Sequence, residues 1–256
     1  MTPGFSLEQW AALSALVFLA GVVDSLAGGG GLITLPAYLA VGLPPSLLLG
    51  TNKLSSTIGT AASTANYTRS LRLSVRAMLP AAALAMAGSA LGALLALRLD
   101  PSWIRPLLLA ALPVVAYAVL GEHRFGAEGR SASFSPAQRA SRSAATAFPI
   151  GVYDGFFGPG TGTFLALGFS RFCRFDLLRA TAWAKFTNLA TNAAALAAFL
   201  LAGGVQIRLG LAMGAVSVAG HYAGSNLGLQ RGGKAIRPVI ALVCGGLFLK
   251  LLLDKL

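Results

Sequence analysis

The stretch Gly21–Gly31 reads GVVDSLAGGGG, and Gly50–Lys53, after a short apolar segment, reads GTNK. The same plan returns in Gly151–Gly162, which reads GVYDGFFGPGTG, and in Trp183–Lys185, which reads WAK. In each copy an apolar helix reaches an Asp, a glycine-rich loop follows, and a Lys stands beyond a short apolar segment, where a long helix is expected to begin. The chain is therefore predicted to contain two structural repeats, and its function is expected at these matched positions.

The two copies align in register. Asp24 corresponds to Asp154 at an offset of 130 residues, and Lys53 corresponds to Lys185 at an offset of 132, which implies a two-residue insertion between them. Duplicated halves are a common plan among secondary transporters, whose substrate site lies near the membrane midplane and is built from interrupted helices. The predicted boundaries are residues 8–121 for repeat 1, a loop over 122–139 and residues 140–254 for repeat 2, all within one transmembrane domain.

The composition indicates an all-α integral membrane protein. Of the 256 residues, 55% are hydrophobic and 11% are charged. Apolar runs recur at the length of about 20 residues that crosses a bilayer. The first helix is expected to be retained rather than cleaved as a signal peptide. The net charge of +12 is assigned to loops between helices rather than to nucleic-acid binding, and the two cysteines fit no metal-binding spacing.

About five helical elements are predicted in each repeat. In repeat 1 they cover residues 8–27, 32–41, 46–68, 75–97 and a fifth helix from Asp100-Pro101 to about Gly121. In repeat 2 they cover residues 140–157, 162–169, 175–202, 207–227 and 236–253. The second element of each repeat is too short to cross a bilayer, so it is either a partial span or half of a re-entrant hairpin.

The distribution of Lys and Arg predicts the orientation of the repeats. With an odd number of crossings per half, 13 of these residues fall on the side of the 122–139 loop and 5 on the other. With an even number, the same residues divide 10 to 8. The positive-inside rule favours the first arrangement. We therefore predict two inverted repeats, a cytoplasmic 122–139 loop and both termini outside.

Lys53 and Lys185 lie within apolar surroundings and were left out of that count. An ionisable side chain at the bilayer centre costs roughly 2.5 to 3.5 kcal/mol, so these lysines are interpreted as functional. The alternative is that they extend to an interface while their polar neighbours join helices by hydrogen bonds. Polar residues accompany both lysines at helical spacing or beside them; they are Asn52, Ser56 and Thr60 in the first copy and Asn188 and Asn192 in the second.

The glycine-rich loops are predicted to bind an anion. A short helix that begins after such a loop presents unpaired N–H groups and the positive end of its dipole, and glycine lets an anion approach closely. The alternative is that the glycines only permit a tight turn. The candidate loop residues are Gly28, Gly29, Gly30 and Gly31 in the first copy and Gly158, Gly160, Thr161 and Gly162 in the second.

Three further titratable residues are candidates for proton coupling. Asp24 and Asp154 precede the two loops, and each is expected to pair with a Lys, to carry a proton or to act as a solvated cap. His221 aligns with Ser89 and therefore breaks the repeat. Its role is either a hydrogen bond between packed helices or proton exchange.

At these residues the chain resembles the TauE/SafE sulfite exporter family of bacterial membrane permeases. The resemblance rests on the glycine-rich loop, the Gly42–Pro45 turn and the Gly50–Lys53 motif, all within a duplicated chain of this length. It implies transport of small anions such as sulfite and sulfonates across the bacterial inner membrane, without ATP or a bound cofactor. Pro159 and Thr161 replace glycines in the second loop, so the two half-sites are expected to differ in shape.

The resulting hypothesis is one midplane anion site formed by Lys53, Lys185, Asn188 and the two loops. A compact ammonium with three donors suits a small tetrahedral or pyramidal oxyanion better than a planar carboxylate. An anion channel is the closest alternative. A membrane-embedded enzyme is a more distant one, because no Ser-His pair or clustered metal ligands accompany the two histidines. The partners expected are a small anion and the lipid bilayer; the oligomeric state is left open.

Overall fold

The regular elements of the described chain are all helical. The computed structural model describes residues 5–103, Pro106 and residues 134–232. In order, the elements are α1 Leu7–Ala27, α2 Gly31–Ala40, α3 Pro45–Ser70, α4 Val75–Ala96, a 3-10 turn Pro101–Trp103, α5 Pro136–Phe156, α6 Thr161–Phe172, α7 Leu177–Leu201 and α8 Ile207–Arg231. The predicted fifth helix beyond Trp103, most of the 122–139 loop and the predicted helix over 236–253 lie outside the described residues.

Side-chain caps determine where α1 and α5 begin. The Ser6 hydroxyl accepts from the N–H of Gln9, and the Gln9 side chain accepts from the N–H of Ser6. Ser135 and Gln138 form the same box ahead of α5, with Pro136 at the first helical position. The predicted start of this helix at residue 140 is therefore wrong by four residues, because this capping box was overlooked.

Two of the described helices, α1 and α4, are long and apolar enough to cross a membrane. The second element of each half is much shorter. α2 has 10 residues and α6 has 12, so they extend about 15 and 18 Å at 1.5 Å per residue. A span of about 30 Å is beyond their reach. Each half thus contains an interrupted stretch, in which a long helix ends at a glycine-rich loop and a short helix continues from it.

Tyr38 and Thr34 fix α2 on α3. The Tyr38 hydroxyl donates to Ser55 Oγ at 2.8 Å, and the Thr34 hydroxyl donates to Asn52 Oδ1 at 2.5 Å. In the second half α6 is held on α7 by aromatic contact, with the rings of Phe169 and Trp183 6.0 Å apart. Edge-to-face pairs of this kind favour a defined orientation. Both short helices are therefore anchored to the long helices that carry the buried lysines.

The contacts between the two halves are reciprocal. α4 of the first half packs on α5 of the second, and α8 packs on α1. The backbone of Gly88 lies against the carbonyl of Phe148, and the backbone of Gly220, its counterpart, lies against the carbonyl of Phe18. Gly92 meets Val152 and Gly224 meets Val22 in the same way. Small residues permit this close approach of helix backbones. Positions that align between the two halves thus make matching contacts.

Candidate functional site

Two ion pairs cross between the halves. Lys53 Nζ lies 2.7 Å from Asp154 Oδ2, and Lys185 Nζ lies 2.7 Å from Asp24 Oδ2. The lysines are 4% and 1% exposed, so both ammonium groups have left water. Removing one partner of such a pair leaves an uncompensated buried charge, which costs far more than an exposed pair is worth. Each half therefore depends on the other for the neutralisation of its buried lysine.

Matched backbone features position the four charges. Lys53 is the ninth residue of α3 and Lys185 the ninth residue of α7, so each lies about two turns inside its helix rather than at its start. Asp24 and Asp154 each precede by four residues a glycine in the left-handed conformation, Gly28 with φ 81° and Gly158 with φ 97°. Glycine adopts this conformation without the steric cost of a Cβ, and it ends the α-helical hydrogen bonding. The carboxylates thus sit in the last turns of α1 and α5.

The two carboxylates have different surroundings. Asp24 Oδ2 lies 3.0 Å from His221 Nε2 as well as 2.7 Å from Lys185 Nζ, and Asp24 Oδ1 accepts from the N–H of Gly30 at 3.1 Å. His221 is itself held by Ser217, through Nδ1 at 3.1 Å from Oγ and 3.0 Å from the carbonyl oxygen. Within the described ranges, Asp154 has Lys53 as its one ion-pair partner.

Repeat symmetry fails at the position of His221. Its counterpart is Ser89, whose hydroxyl donates at 2.7 Å to the carbonyl of Thr191. Ser89 thus joins helices and does not reach a carboxylate. Among the described residues, an imidazole ring therefore accompanies one of the two ion pairs and has no equivalent at the other.

Amides complete the surroundings of the lysines. Lys53 Nζ donates to Asn192 Oδ1 at 2.9 Å, and Asn192 Nδ2 donates to Asn188 Oδ1 at 3.4 Å. Across the part of the chain that the structure describes, Lys185 has Asp24 as its only acceptor. An ammonium has three N–H donors. Unused donor capacity therefore remains on both lysines, more of it on Lys185.

The two glycine-rich loops lie directly against each other. A Cβ on Gly28 would overlap the backbone of Gly162 and Thr163, and the Thr163 hydroxyl donates to the carbonyl of Ala27. Among the described residues, the N–H groups of Gly31 and Gly162 find no acceptor. The starts of α2 and α6 thus meet between the halves and present unpaired donors there.

A small polar cavity lies where the loops, lysines and amides meet. Its volume is about 20 Å³, room for about one water molecule. The cavity is lined by side chains and backbone from both halves, namely Asp24, Gly28, Gly31, Asn52, Lys53, Ser56, Asp154, Gly158, Thr161, Gly162, Asn188 and Asn192. In this conformation the site is closed around the ion pairs.

Twelve of the residues proposed from the sequence line this cavity, and six do not, namely Gly29, Gly30, Thr60, Gly160, Lys185 and His221. Lys185 reaches Asp24, and the N–H of Gly30 donates to the same carboxylate. Gly29 accepts from the N–H of Leu32 within the first turn of α2, and Gly160 precedes α6 with φ 82°. Thr60 lies farther along α3, where its hydroxyl is 3.5 Å from His221 Nε2.

Two supporting residues were missed from the sequence. Ser217 holds His221, and Tyr153 donates from its hydroxyl to the carbonyl of Pro159 at 2.6 Å, which fixes the second loop. Ser217 lies one helical turn before His221 in sequence, and this spacing could have predicted their contact. Tyr153 is adjacent to Asp154 in sequence, and no pattern pointed to the loop carbonyl as its acceptor. In the described ranges, no group of three or more His, Cys, Asp or Glu residues is placed to hold a metal ion.

Comparison with known proteins covers nearly the whole chain. The family model for the sulfite exporter TauE/SafE matches residues 13–251. The chain is 38% identical to the probable membrane transporter protein ORF9 of Sinorhizobium sp, over 94% of this chain and 92% of that protein. It is 36% identical to the probable membrane transporter protein YfcA of Escherichia coli K12, over 94% of this chain and 88% of that protein. A probable membrane transporter protein of Haemophilus influenzae is 33% identical, over 97% of this chain and 96% of that protein. No solved structure matches.

Proposed function

The chain belongs to the TauE/SafE sulfite exporter family, and from that premise we propose that it is a secondary transporter of a small oxyanion, sulfite or a sulfonate. The relatives described above are each named a probable membrane transporter protein, which supports a permease rather than an enzyme. The observation that carries the proposal is the pair of crossed ion pairs, Lys53 with Asp154 and Lys185 with Asp24, around a closed polar cavity.

An anion that leaves water needs fixed positive potential along its path, because its solvation energy is worth tens of kcal/mol in the ideal low-dielectric limit. Lys53 and Lys185 supply two ammonium groups, and the starts of α2 and α6 add the positive ends of two helix dipoles. These groups converge from opposite halves. A small oxyanion held from several sides suits this arrangement, since Lys acts as a point charge and not as a planar fork.

Charge balance supports coupling to protons. In the closed site the two lysines and two aspartates carry no net charge, so an anion that enters leaves the buried cluster negative. Protonation of one carboxylate would restore neutrality and release its lysine to the anion. Asp24 is the candidate acceptor because His221 lies 3.0 Å away and can exchange the proton. We therefore propose that one proton moves with each monovalent anion.

The cavity of about 20 Å³ must enlarge before it holds an oxyanion, which supports a carrier over a permanently open channel. Access would alternate as one half rocks against the other about the reciprocal glycine contacts. With the orientation favoured by the charge distribution, the halves are inverted, residues 122–139 are cytoplasmic and both termini are outside. The membrane would be the bacterial inner membrane.

Flux through proteoliposomes that contain the purified protein tests the proposal. Sulfite uptake should saturate, show counterflow with internal unlabelled sulfite, and be lost in Lys53→Met and Lys185→Met. Arg208→Met removes an exposed cation at the start of α8 and serves as the matched control, which should retain uptake. Non-saturating flux without counterflow would indicate a channel. Unchanged uptake in the double lysine variant would place the transport path elsewhere.

A further inference from the structure

A second, larger cavity lies at the surface between α5 and α6. Its volume is about 580 Å³, and its wall is mostly apolar. Ile150, Phe164 and Leu167 form one end of the groove. Nothing in the ion-pair site extends to it, since none of its lining residues borders the polar cavity.

The opposite end of the groove is basic. Arg142 near the start of α5 and Arg171 near the end of α6 both line it, and both are exposed. The two helix ends are adjacent, because Arg142 Nη1 donates to the carbonyl of Phe172 at 3.3 Å. The Arg142 guanidinium also lies 4.3 Å from the centre of the Phe134 ring. From Arg142 to Ile150 the helix rises about 12 Å, so the groove leads from a charged mouth into an apolar interior.

The repeat plan does not account for these charges. At the offset of 130 residues that relates the two loops, Arg142 corresponds to Ala12 and Arg171 to Val41. The basic mouth is therefore a property of the second half alone. In the proposed orientation it lies at the cytoplasmic interface.

We propose that this groove binds an anionic phospholipid of the inner leaflet. The headgroup phosphate would lie at Arg142 and Arg171, and one acyl chain would lie along Ile150, Phe164 and Leu167. Arginine suits phosphate because its planar guanidinium donates two parallel hydrogen bonds, and basic pockets between membrane helices are recurrent sites for anionic headgroups. Groove shape and charge are thus complementary to an amphipathic anion rather than to an apolar peptide.

The test uses the full-length protein in nanodiscs that contain a photoactivatable phosphatidylglycerol with its reactive group on the acyl chain. Cross-linked peptides are expected from the parts of α5 and α6 that face the groove. Cross-linking should fall about tenfold or more when both arginines are replaced, Arg142→Gln with Arg171→Gln, because the charged hydrogen-bond donors to the phosphate are then lost. The matched control is Arg69→Gln with Arg76→Gln, two exposed arginines on the same predicted side that do not line the groove.

Two further measurements test whether the lipid lies in the groove and whether binding requires both its charge and its acyl chains. Ala145→Trp fills the groove without a change of charge and should also lower cross-linking. Phosphatidylcholine with the same acyl chains, which has no net charge, should compete poorly against phosphatidylglycerol, and soluble glycerol phosphate should not compete at all. Equal cross-linking in the two double-arginine variants, or an absence of cross-links from α5 and α6, would overturn the proposal. The second result would indicate that another segment of this chain covers the groove.

Discussion

His221 Nε2 lies 3.0 Å from Oδ2 of Asp24, on the same oxygen that Lys185 approaches to 2.7 Å. One carboxylate oxygen therefore faces both a lysine and an imidazole ring, a side chain that can take up or release a proton. The Thr60 hydroxyl lies 3.5 Å from Nε2, and the Ser217 hydroxyl lies 3.1 Å from Nδ1. Because the other half has Ser89 in place of His221, the two ion pairs are expected to respond differently to a proton.

Replacement of His221 by Gln should remove most of the acceleration of sulfite flux by an imposed pH gradient. Gln keeps a hydrogen-bond donor near Asp24 but cannot carry a proton. The gradient-driven component is expected to be largely lost, because the variant has no side chain at this position that can pass a proton to Asp24. Counterflow exchange at equal pH should be less affected. Ser89→Ala, at the equivalent position, is the control and should leave the pH response intact. An unchanged response in His221→Gln would show that the His221 ring serves only in helix packing.

Lys53 and Asp154 should show strong thermodynamic coupling. Either Lys53→Met or Asp154→Asn alone leaves one buried charge unpaired, and the expected loss of stability is roughly 3 to 5 kcal/mol. The double variant removes both charges, so its loss should be clearly smaller than that of either single variant. Thermal unfolding in detergent measures the cycle. Additive losses would mean that the 2.7 Å contact does not persist in solution.

Gly28→Ala should abolish transport, whereas Gly42→Ala should not. Both glycines have left-handed φ angles, 81° and 83°, so an added Cβ costs each backbone about 1 to 2 kcal/mol. Only at Gly28 would the Cβ also overlap the loop of the other half; at Gly42 no atom lies within 4 Å. Sulfite uptake and thermal unfolding, measured on both variants, separate these effects. Equal uptake in the two would show that close contact between the loops is dispensable.

The orientation can be tested by cysteine labelling in a variant that lacks Cys173 and Cys244. Ser133→Cys, in the 122–139 loop, should react with an impermeant maleimide only after the cells are opened. Leu201→Cys, at the end of α7, is the opposite probe, since Leu201 is 92% exposed and faces the other predicted side. It should react in intact cells. The reverse pattern would invert the proposed topology.

Sequence patterns predicted the positions of the short helices and the burial of the lysines, because both follow from local features. Apolar length limits α2 and α6, and Lys53 and Lys185 stand inside apolar helices in both copies. The helix start at Pro136 was missed although it too is local, because its signal is a cap rather than a hydrophobic period. The alignment of the two copies thus predicted most of the helices in the described chain.

The pairing of charges could not be predicted in the same way. Asp24 is 29 residues from Lys53 and 161 from Lys185, and the repeat pattern is equally compatible with pairs within a half and pairs between halves. Tertiary packing selects the second, since the loops of the two halves cross at Gly28 and Gly162. The contact of His221 with Asp24 likewise depends on which face of α8 packs on α1. The hydrophobic pattern of α8 alone does not predict that face.

The reciprocal glycine contacts are those that two identical half-length chains would make as a symmetric dimer. In such a dimer any substitution would appear twice, so a histidine beside one carboxylate would require a histidine beside the other. Fusion of the halves into one polypeptide removes that restriction. Asp24 can acquire a titratable neighbour while Asp154 keeps only its lysine among the described residues, and a single gene thereby encodes an asymmetry that a homodimer has no means to express.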